Sequence, residues 1–368
     1  MKSAFLNGPL EEVVFVNQPP GFISKGNDDK KCSIMYMNSL YHNGGVLFIC
    51  LCVDDLLITG SSSKGIKVLK SSLNDEFEMT ELGILSFFLS LEFQYTEKGL
   101  FVHQRKYMLQ ILIKFNMLNC NTSETLAKMN LKMDHCENEA TVDATLFRQI
   151  VRSLWYICHS RPKISFSVGM ISKFMSNPRH SHMIAAKRIL RYLRETLDFG
   201  IVFPHQDEKI SSHLVVFSDS HWCGDVLDRK NTMWYVFMIV GASISSKKKK
   251  VVALSTCEVE YIAACHTACQ ALWISSLLLE LDIESEDVIE LLIDSKSTID
   301  LTKNHVSHGR SKHIKTKYHV LRHQVAEGRI KLVHYKIEAQ LANIMTKSLK
   351  MERSRELRKK IGIQNLKD

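Results

Sequence analysis

Several features that define other protein classes are missing from this sequence of 368 residues. Its ten cysteines lie singly along the chain and form no C-x-x-C pair, so we interpret them as reduced thiols of an intracellular protein rather than as a disulfide framework. There is no recognisable secretory signal, and we find no apolar run of the ~20 residues that a membrane span needs. We therefore expect an intracellular protein, cytoplasmic or nuclear, without a membrane partner.

A tightly spaced zinc motif is absent as well. Cys265 and Cys269 are one helical turn apart, and His221 and Cys223 are near neighbours in the sequence, so these four residues leave a zinc site open. Ordinary core cysteines are the favoured interpretation, because structural zinc sites normally show a tighter ligand spacing.

Basic residues exceed acidic ones, which gives the chain a formal net charge of +9. This surplus favours a polyanionic partner without identifying one. The length indicates two or more domains, because single hydrophobic cores usually stop growing at about 250–300 residues. A polar stretch, FPHQDEKISS (203–212), indicates a linker between them.

Two adjacent aspartates, Asp54 and Asp55, interrupt the strand-like apolar run FICLCVDDLLITG (48–60). Neighbouring carboxylates repel each other and are costly to bury, unless a cation or a tight turn offsets the cost. A divalent metal such as Mg²⁺ is one explanation, and a hairpin tip with two solvated aspartates is the other. Further along, LSFFLSLEFQYTEKGLFVHQ predicts a second hairpin that turns at Lys98 and Gly99.

A set of three acidic residues follows the linker. Asp219 and Asp294 each end an apolar strand, HLVVFSD and VIELLID, and Glu260 lies in the first turn of a long helix predicted from about Cys257 to Leu281. Three antiparallel strands followed by alternating helices and parallel strands predict a mixed sheet with helices on its faces. Convergent carboxylates at one edge of such a sheet suit two-metal phosphodiester cleavage. Taken singly, each acid is better explained as a strand-end aspartate or a helix N-terminal glutamate, and only the set of three favours a metal site.

Several long motifs, in order, carry a resemblance to one family. They are MKSAFLNGPLEEVVFVNQPPGF, CVDDLLITG, the stretch from VDATLFRQ to LDFGIVF, FSDSHWCGDVLDRKNT, VALSTCEVEYIAA, LLIDSKSTIDL, NHVSHGRSKHI and AQLANIMTKSL. Over almost its whole length the chain resembles the C-terminal part of Pol polyproteins from Ty1/copia-type LTR retrotransposons. The first motifs are similar to the family's reverse transcriptase palm and its Y-V-D-D hairpin, and the last five are similar to its ribonuclease H domain.

The resemblance implies an α/β (α+β) protein in four parts. These are a truncated reverse transcriptase palm (1–62), the remaining palm or thumb with a helical connecting region (63–204), a ribonuclease H-like domain with a mixed five-stranded sheet and flanking helices (205–348), and a basic tail (349–368). The truncated palm should be unstable by itself, because its strands have lost sheet partners.

The polymerase part departs from the family's pattern. Asp54 and Asp55 resemble its metal-binding turn, with Cys52 in place of a tyrosine, so we regard them as a relic polymerase metal motif. The family's first catalytic aspartate precedes the stretch that begins this sequence, and the segment between PPGF and the hairpin is too short for the LYGLKQAPR motif. Phosphoryl transfer depends on positioning and charge stabilisation. We therefore expect the reverse transcriptase activity to be lost and disfavour an intact polymerase.

The ribonuclease H part is nearly complete by resemblance. Asp219, Glu260 and Asp294 occupy the first three catalytic and metal-binding carboxylate positions, and Asn343 stands at the fourth, where the family has an aspartate. The implied cofactor is Mg²⁺, with Mn²⁺ as a substitute, and Asn343 should weaken the hold on one ion. Trp234 replaces a glycine, and we expect its ring to crowd the strand.

Nucleic acid is the partner that the resemblance implies, above all an RNA–DNA hybrid, and no small-molecule substrate is expected. The candidate contact residues lie in the basic segment 305–331, where contacts to phosphates would depend on salt. They are Arg310, Lys312, His313, Lys317 and Arg322. Two interpretations stay open: a weak, Mg²⁺-dependent ribonuclease H, or a non-catalytic relic that at most binds nucleic acid.

Overall fold

The computed structural model describes residues 35–42, 45–52, 55–126, 139–205, 214–221, 231–239, 242–251, 253, 255–281, 283, 288–303, 316–346 and 351–366. Contacts within the chain group it into two units, Met1–Phe88 and Leu89–Asp368. The four-part division inferred from the sequence stays a prediction, because this grouping does not test its boundaries.

The first unit is built on an antiparallel sheet with the strand order β1-β2-β3. Its elements are β1 (Met35–His42), β2 (Gly45–Cys52), β3 (Asp55–Gly60), α1 (Ser63–Glu76) and β4 (Phe87–Phe88). The apolar run around the aspartate pair forms the β2–β3 hairpin, in which Cys52 is paired with Asp55. Ser62 caps the N-terminus of α1, because its hydroxyl accepts a hydrogen bond from the backbone N–H of Gly65 at 3.1 Å.

The first half of the second unit combines a sheet with a group of helices. Its elements are β5 (Leu91–Thr96), β6 (Gly99–His103), α2 (Arg105–Lys114), α3 (Ala144–Ile157), α4 (Ser165–Ile171), α5 (His180–Glu195) and β7 (Phe199–Pro204). The hairpin predicted at Lys98 and Gly99 is confirmed, since β5 and β6 pair antiparallel and Thr96 lies opposite Gly99. Gly99 has a φ of +133°, which glycine adopts at little cost because it lacks a Cβ.

The helices α2 to α5 share one apolar core. Apolar side chains recur at helical spacing along them, and Met108, Phe147, Leu154 and Ile189 are buried there. Asp143 caps the N-terminus of α3, because its carboxylate accepts hydrogen bonds from the backbone N–H groups of Thr145 and Leu146. The helical character predicted for this region is therefore confirmed.

The second half of this unit contains the mixed sheet. Its elements are β8 (Leu214–His221), β9 (Asn231–Ile239), β10 (Ala242–Val251), α6 (Thr256–Glu280), β11 (Ile289–Ile293), α7 (Lys296–Lys303), α8 (Val320–Ala326), β12 (Ile330–His334) and α9 (Asn343–Thr346). The strand order is β10-β9-β8-β11-β12. β8, β9 and β10 pair antiparallel, whereas β11 is parallel to β8 and to β12. The predicted mixed five-stranded sheet with flanking helices is confirmed.

Helix α6 corrects one expectation from the sequence. Its 25 residues, with a mean hydropathy of 1.5 in the most apolar window, are long and apolar enough to cross a membrane by length and composition alone. Half of that window is buried in the protein, and the helix packs along β8 and β9. The expectation that the chain has no such segment was wrong, because a helix with Ala, Cys and Leu on most of its sides passes the same test. A buried core helix accounts for it.

The C-terminal residues also differ from the basic tail that the sequence suggested. They form α10 (Met351–Lys360) and β13 (Ile363–Asn365), which pairs antiparallel with β7. Leu357, Ile361 and Ile363 are buried and belong to an apolar cluster that includes β8 and β9 residues. The Lys and Arg residues of α10 dominate the sequence pattern, but these few apolar positions attach the segment to the fold.

Candidate metal centre

Two of the three predicted acidic residues lie at one edge of the mixed sheet. Asp219 is the third residue from the end of β8, and Asp294 follows directly after β11. These strands are parallel neighbours, with Leu292 opposite Phe217, so their carboxyl ends meet at the same edge. Asp219 is almost fully buried.

Glu260 reaches the same edge from the first turns of α6. Ser255 starts this helix, because its hydroxyl accepts a hydrogen bond from the backbone N–H of Glu258 at 3.1 Å. One carboxylate oxygen from each of Asp219, Glu260 and Asp294 lies within 4.8 Å of the others. Among the residues that the structure describes, these three form the one group of histidine, cysteine and acidic side chains that could hold a metal ion. The predicted convergence in space is thus present.

The two carboxylate oxygens of Glu260 have different surroundings. Oε1 accepts hydrogen bonds from the hydroxyl of Ser220 at 2.7 Å and from its backbone N–H at 3.3 Å. Oε2 is buried, and within the described part of the chain no group donates to it. A buried acceptor without a donor is unfavourable, and a cation at this position would satisfy it. The donor set, all hard oxygen ligands, fits a divalent cation of the Mg²⁺ type.

The acidic cluster has a strong effect on the protonation of Glu260. Burial, together with the neighbouring carboxylates of Asp219 and Asp294, raises the pKa of its carboxyl to about 8, against the hydrogen bonds from Ser220, which act in the opposite direction. Without a cation, Glu260 therefore holds a proton at neutral pH. A bound divalent cation would favour the ionised form.

Gln340 is a residue of this site that the sequence did not reveal. Its fully buried side-chain amide donates to the backbone carbonyls of Ser218 at 3.0 Å and of Leu292 at 3.3 Å. These carbonyls precede Asp219 and Asp294 by one and two residues, so one amide ties the two acid-bearing strands together. A single buried glutamine within the short motif AQLAN shows no periodic pattern in the sequence that could have identified it.

Asn343, the fourth predicted site residue, begins α9, which packs against β8 and β9. It is buried, and its side-chain nitrogen donates to the carbonyl of Ile337 at 2.7 Å. This hydrogen bond fixes the orientation of the amide. Trp234, opposite Asp219, is buried in an apolar cluster, and the pairing of β8 with β9 continues through it without a shift. The crowding expected from its ring is therefore not seen.

The remaining predicted residues are distributed as follows. Asp55 is half-buried at the start of β3, whereas its neighbour Asp54 lies outside the described residues. Arg322 on α8 donates to the carbonyl of Leu301 at 3.1 Å and lies over the ring of Tyr261, so it has a structural role in addition to any contact with a partner. Three of the predicted contact residues, Arg310, Lys312 and His313, lie outside the described part of the chain. The side chain of Lys317 also lies outside it.

The alternative zinc site gains no support from the cysteines that are described. Cys265 is buried in the apolar cluster between α6 and the sheet, and Cys269 is exposed one turn further along the helix. Cys223 and the side chain of His221 lie outside the described residues. The position of Cys265 agrees with an ordinary core cysteine.

Comparisons with known proteins show what the chain is similar to. A family model described as reverse transcriptase (RNA-dependent DNA polymerase) matches residues 34–128. The chain is 32% identical over 398 residues to the retrovirus-related Pol polyprotein from transposon RE2 of Arabidopsis thaliana, covering 99% of this chain and 27% of that protein. It is 31% identical to the corresponding protein of transposon TNT 1-94 from Nicotiana tabacum, covering 94% and 29%. The chain thus spans about a quarter of the length of these curated relatives.

Two further matches are shorter. The uncharacterized mitochondrial protein AtMg00810 of Arabidopsis thaliana is 33% identical, over 62% of this chain and 95% of that protein. Among solved structures, the N-terminal RNase H domain of rv2228c from Mycobacterium tuberculosis, fused to maltose binding protein, matches 40% of this chain and 98% of that chain. Its sequence identity is 13% and its TM-score is 0.27.

Proposed function

Because the chain belongs to the Pol polyprotein family of Ty1/copia-type retrotransposons, we propose that its acidic cluster hydrolyses the RNA strand of RNA–DNA hybrids with the help of Mg²⁺. The observation that carries the proposal is the convergence of Asp219, Glu260 and Asp294 within 4.8 Å at the carboxyl edge of a mixed sheet. Three oxygen ligands from separate elements are a suitable basis for a divalent-metal hydrolase site.

Each residue of the cluster has a distinct task in this proposal. Asp219 and Asp294 would hold the cation from adjacent parallel strands, which the amide of Gln340 ties together. Glu260 is oriented through Oε1 by Ser220, which leaves the buried Oε2 to bind the cation. The divalent cations would supply an activated water and would stabilise the negative charge on the leaving oxygen.

Asn343 makes this a weakened site. Its amide provides an oxygen ligand but no negative charge, so a cation that depends on it is bound less tightly than by a carboxylate. We therefore infer slow cleavage that requires a high concentration of Mg²⁺ or Mn²⁺. If the charge of Asn343 is indispensable, the same arrangement yields the alternative function, a non-catalytic domain that binds nucleic acid through its basic surface.

We also infer that reverse transcriptase activity is lost. Only about thirty residues separate the PPGF motif, which ends at Phe22, from Asp54, too few for the nucleotide-contacting segment that the family carries there. Nucleic acid is the proposed partner, and an intracellular location, cytoplasmic or nuclear, is proposed because the cysteines are scattered singly along the sequence without a C-x-x-C motif.

The test of the proposed function is cleavage of a labelled RNA–DNA hybrid by the purified full chain, titrated with Mg²⁺ and separately with Mn²⁺. We expect cleavage of the RNA strand alone, which is abolished by EDTA and by Asp219→Asn. Glu280→Gln, an exposed substitution at the far end of α6, is the matched control and should leave the rate unchanged. Cleavage that persists in the Asp219→Asn protein would show that the activity comes from elsewhere.

A further inference from the structure

A cavity of about 150 Å³ lies in the second unit, and no residue of the acidic cluster lines it. Its walls come from α4 and the turn before it, α5, β7, α9 and α10. These elements belong to both halves of the unit, and the C-terminal helix α10 closes one side. The cavity is smaller than the ~300–1,000 Å³ pockets that enclose drug-sized ligands, so it suits a single small chemical group.

Two basic side chains line the interior of this cavity. Lys163 is 8% exposed, and its ammonium donates to the hydroxyl of Tyr192 at 3.1 Å, with the ring centroid 4.7 Å away. The guanidinium of Arg358 lies 4.1 Å from the ring centroid of Phe199, and its buried Nε has no hydrogen-bond partner among the described residues. An ammonium carries three N–H donors and a guanidinium five, so both side chains can donate further hydrogen bonds to a ligand.

A third cation lies directly behind the cavity wall. Arg161 is 4% exposed and donates to the backbone carbonyls of Thr196, at 2.8 Å, and of Phe199, two wall residues. Burial and the positive charge of Arg358 lower the pKa of its guanidinium to about 10, whereas Tyr192 and Asp198 act in the opposite direction. The buried region around the cavity thus has a high density of positive charge.

In the described part of the chain, carboxylates lie near these cations without contacting them: Glu124 and the exposed Glu195 line the cavity, and Asp198 acts on Arg161 through its charge. None of Arg161, Lys163 and Arg358 has a carboxylate oxygen within 4.0 Å there. Glu124, at the exposed rim, pairs with Arg355 at 3.6 Å and is thereby neutralised. Burial by itself raises the pKa of the Tyr192 phenol, but the three cations together bring it below its ordinary value of 10. Buried cations of this kind are unfavourable unless an anion joins them.

We propose that this cavity is a phosphate-binding pocket, held by Lys163 and Arg358, with Arg161 behind them. A phosphate group matches the site in charge, in size and in its demand for several donors, which ammonium and guanidinium groups supply. The hydroxyl of Ser354 on α10 also lines the cavity and can donate to the same group. The phosphate is either a free ion or part of a nucleic-acid strand. This site goes beyond the proposed hydrolase function and does not depend on it.

The first experiment titrates the full chain with inorganic phosphate and follows heat release and the unfolding temperature. Phosphate should bind and raise the unfolding temperature of the wild-type protein. Lys163→Met and Arg358→Gln should each weaken phosphate binding on the order of tenfold or more, the loss expected for one charge-assisted hydrogen bond. Arg152→Gln, which removes an exposed cation on α3, is the matched control and should bind phosphate like the wild type.

A second readout separates loss of the pocket from loss of the fold. Without phosphate, Lys163→Met should unfold at the same temperature as the wild type or higher, because a buried charge is replaced by an apolar chain of similar length. If Lys163→Met is instead less stable, phosphate binding is compared between the wild type and Arg358→Gln, because the side chain of Arg358 is only half-buried. Phosphate binding that is absent from the wild type, or equally strong in Arg358→Gln, would overturn the proposal.

A final comparison identifies the source of the phosphate. A labelled single-stranded oligonucleotide should bind more weakly to both cavity variants than to Arg152→Gln if the pocket accepts a strand phosphate. If the pocket accepts only free phosphate, oligonucleotide binding should be equal in all three variants, while phosphate binding is still lost in the first two. Both results support the pocket, and they are distinguished from failure of the proposed hydrolase because neither requires cleavage.

Discussion

The carboxyl of Glu260 is protonated at neutral pH when no cation is bound. Its pKa of about 8 in the folded chain lies above the value of about 4.3 expected for an unfolded one. The folded state therefore keeps a proton that the unfolded state has lost between these two pH values. The resulting stability is fully present below the unfolded pKa and is lost as the pH rises through the folded pKa.

This sign predicts a pH dependence of the metal-free protein. In EDTA, the free energy of unfolding should fall with rising pH from about pH 5 to 8, by at most about 1.4 kcal/mol per pH unit from this group. Glu260→Gln should flatten that slope, and Glu280→Gln should keep it. Denaturant unfolding at a series of pH values measures both, and an unchanged slope in Glu260→Gln would contradict the assigned surroundings of the carboxyl.

Gln340 makes a second prediction at the residue scale. Gln340→Met keeps the approximate size of the side chain but leaves the carbonyls of Ser218 and Leu292 without their donor, at a cost of about 1–3 kcal/mol. Because these carbonyls fix the strand ends, the affinity of the cluster for Mn²⁺ should also fall. Calorimetric titration with Mn²⁺ and denaturant unfolding test the two effects, with the exposed Gln94→Met on β5 as control.

At the scale of elements, the apolar strands and the first turn of α6 were predictable and the C-terminal segment was not. β8 carries Asp219 two residues before its end, and β11 ends directly before Asp294, so parallel pairing places both acids at one edge. The sequence of α10 is dominated by basic residues and shows no clear apolar pattern, so the burial of Leu357 is recognisable only in the fold. The role of Gln340 was not predictable from the sequence either, because it depends on the carbonyls of Ser218 and Leu292, which are far away in the sequence.

The buried position of Leu357 predicts how strongly α10 is attached. Leu357→Ala should destabilise the second unit by about 2–5 kcal/mol, as for other leucines removed from a packed core. Leu279→Ala, which shortens an exposed leucine on α6, should have a much smaller effect. Hydrogen exchange of β7 and β13 should increase in the first variant alone. Equal stability of the two variants would mean that the C-terminal segment is not part of the core.

At the scale of the whole molecule, the chain combines a net charge of +9 with the sequence of a Pol-family protein. The β2–β3 hairpin folds as expected from its apolar alternation, with Asp55 at the start of β3. A hairpin with one or two aspartates is not a nucleotide pocket, because phosphoryl transfer needs the metal ions, the template and the nucleotide positioned together.

The prediction for the whole chain is therefore that it does not extend a primer. Incubation with a primed RNA or DNA template, deoxynucleotides and Mg²⁺ or Mn²⁺ should give no product above background. Asp55→Asn should behave identically. Primer extension that disappears in Asp55→Asn would contradict the inferred loss of polymerase activity.

The central claim is that the three carboxylates form a weakened divalent-metal site for cleavage of RNA–DNA hybrids. The most direct test is the cleavage rate of Asn343→Asp beside that of the wild type, over a range of Mg²⁺ concentrations. The restored charge should lower the Mg²⁺ requirement and, if it contributes ~3 kcal/mol to the transition state, accelerate cleavage on the order of a hundredfold. Asp219→Asn in the Asn343→Asp background should abolish cleavage. A folded Asn343→Asp protein that stays inactive at every Mg²⁺ and Mn²⁺ concentration would contradict the claim.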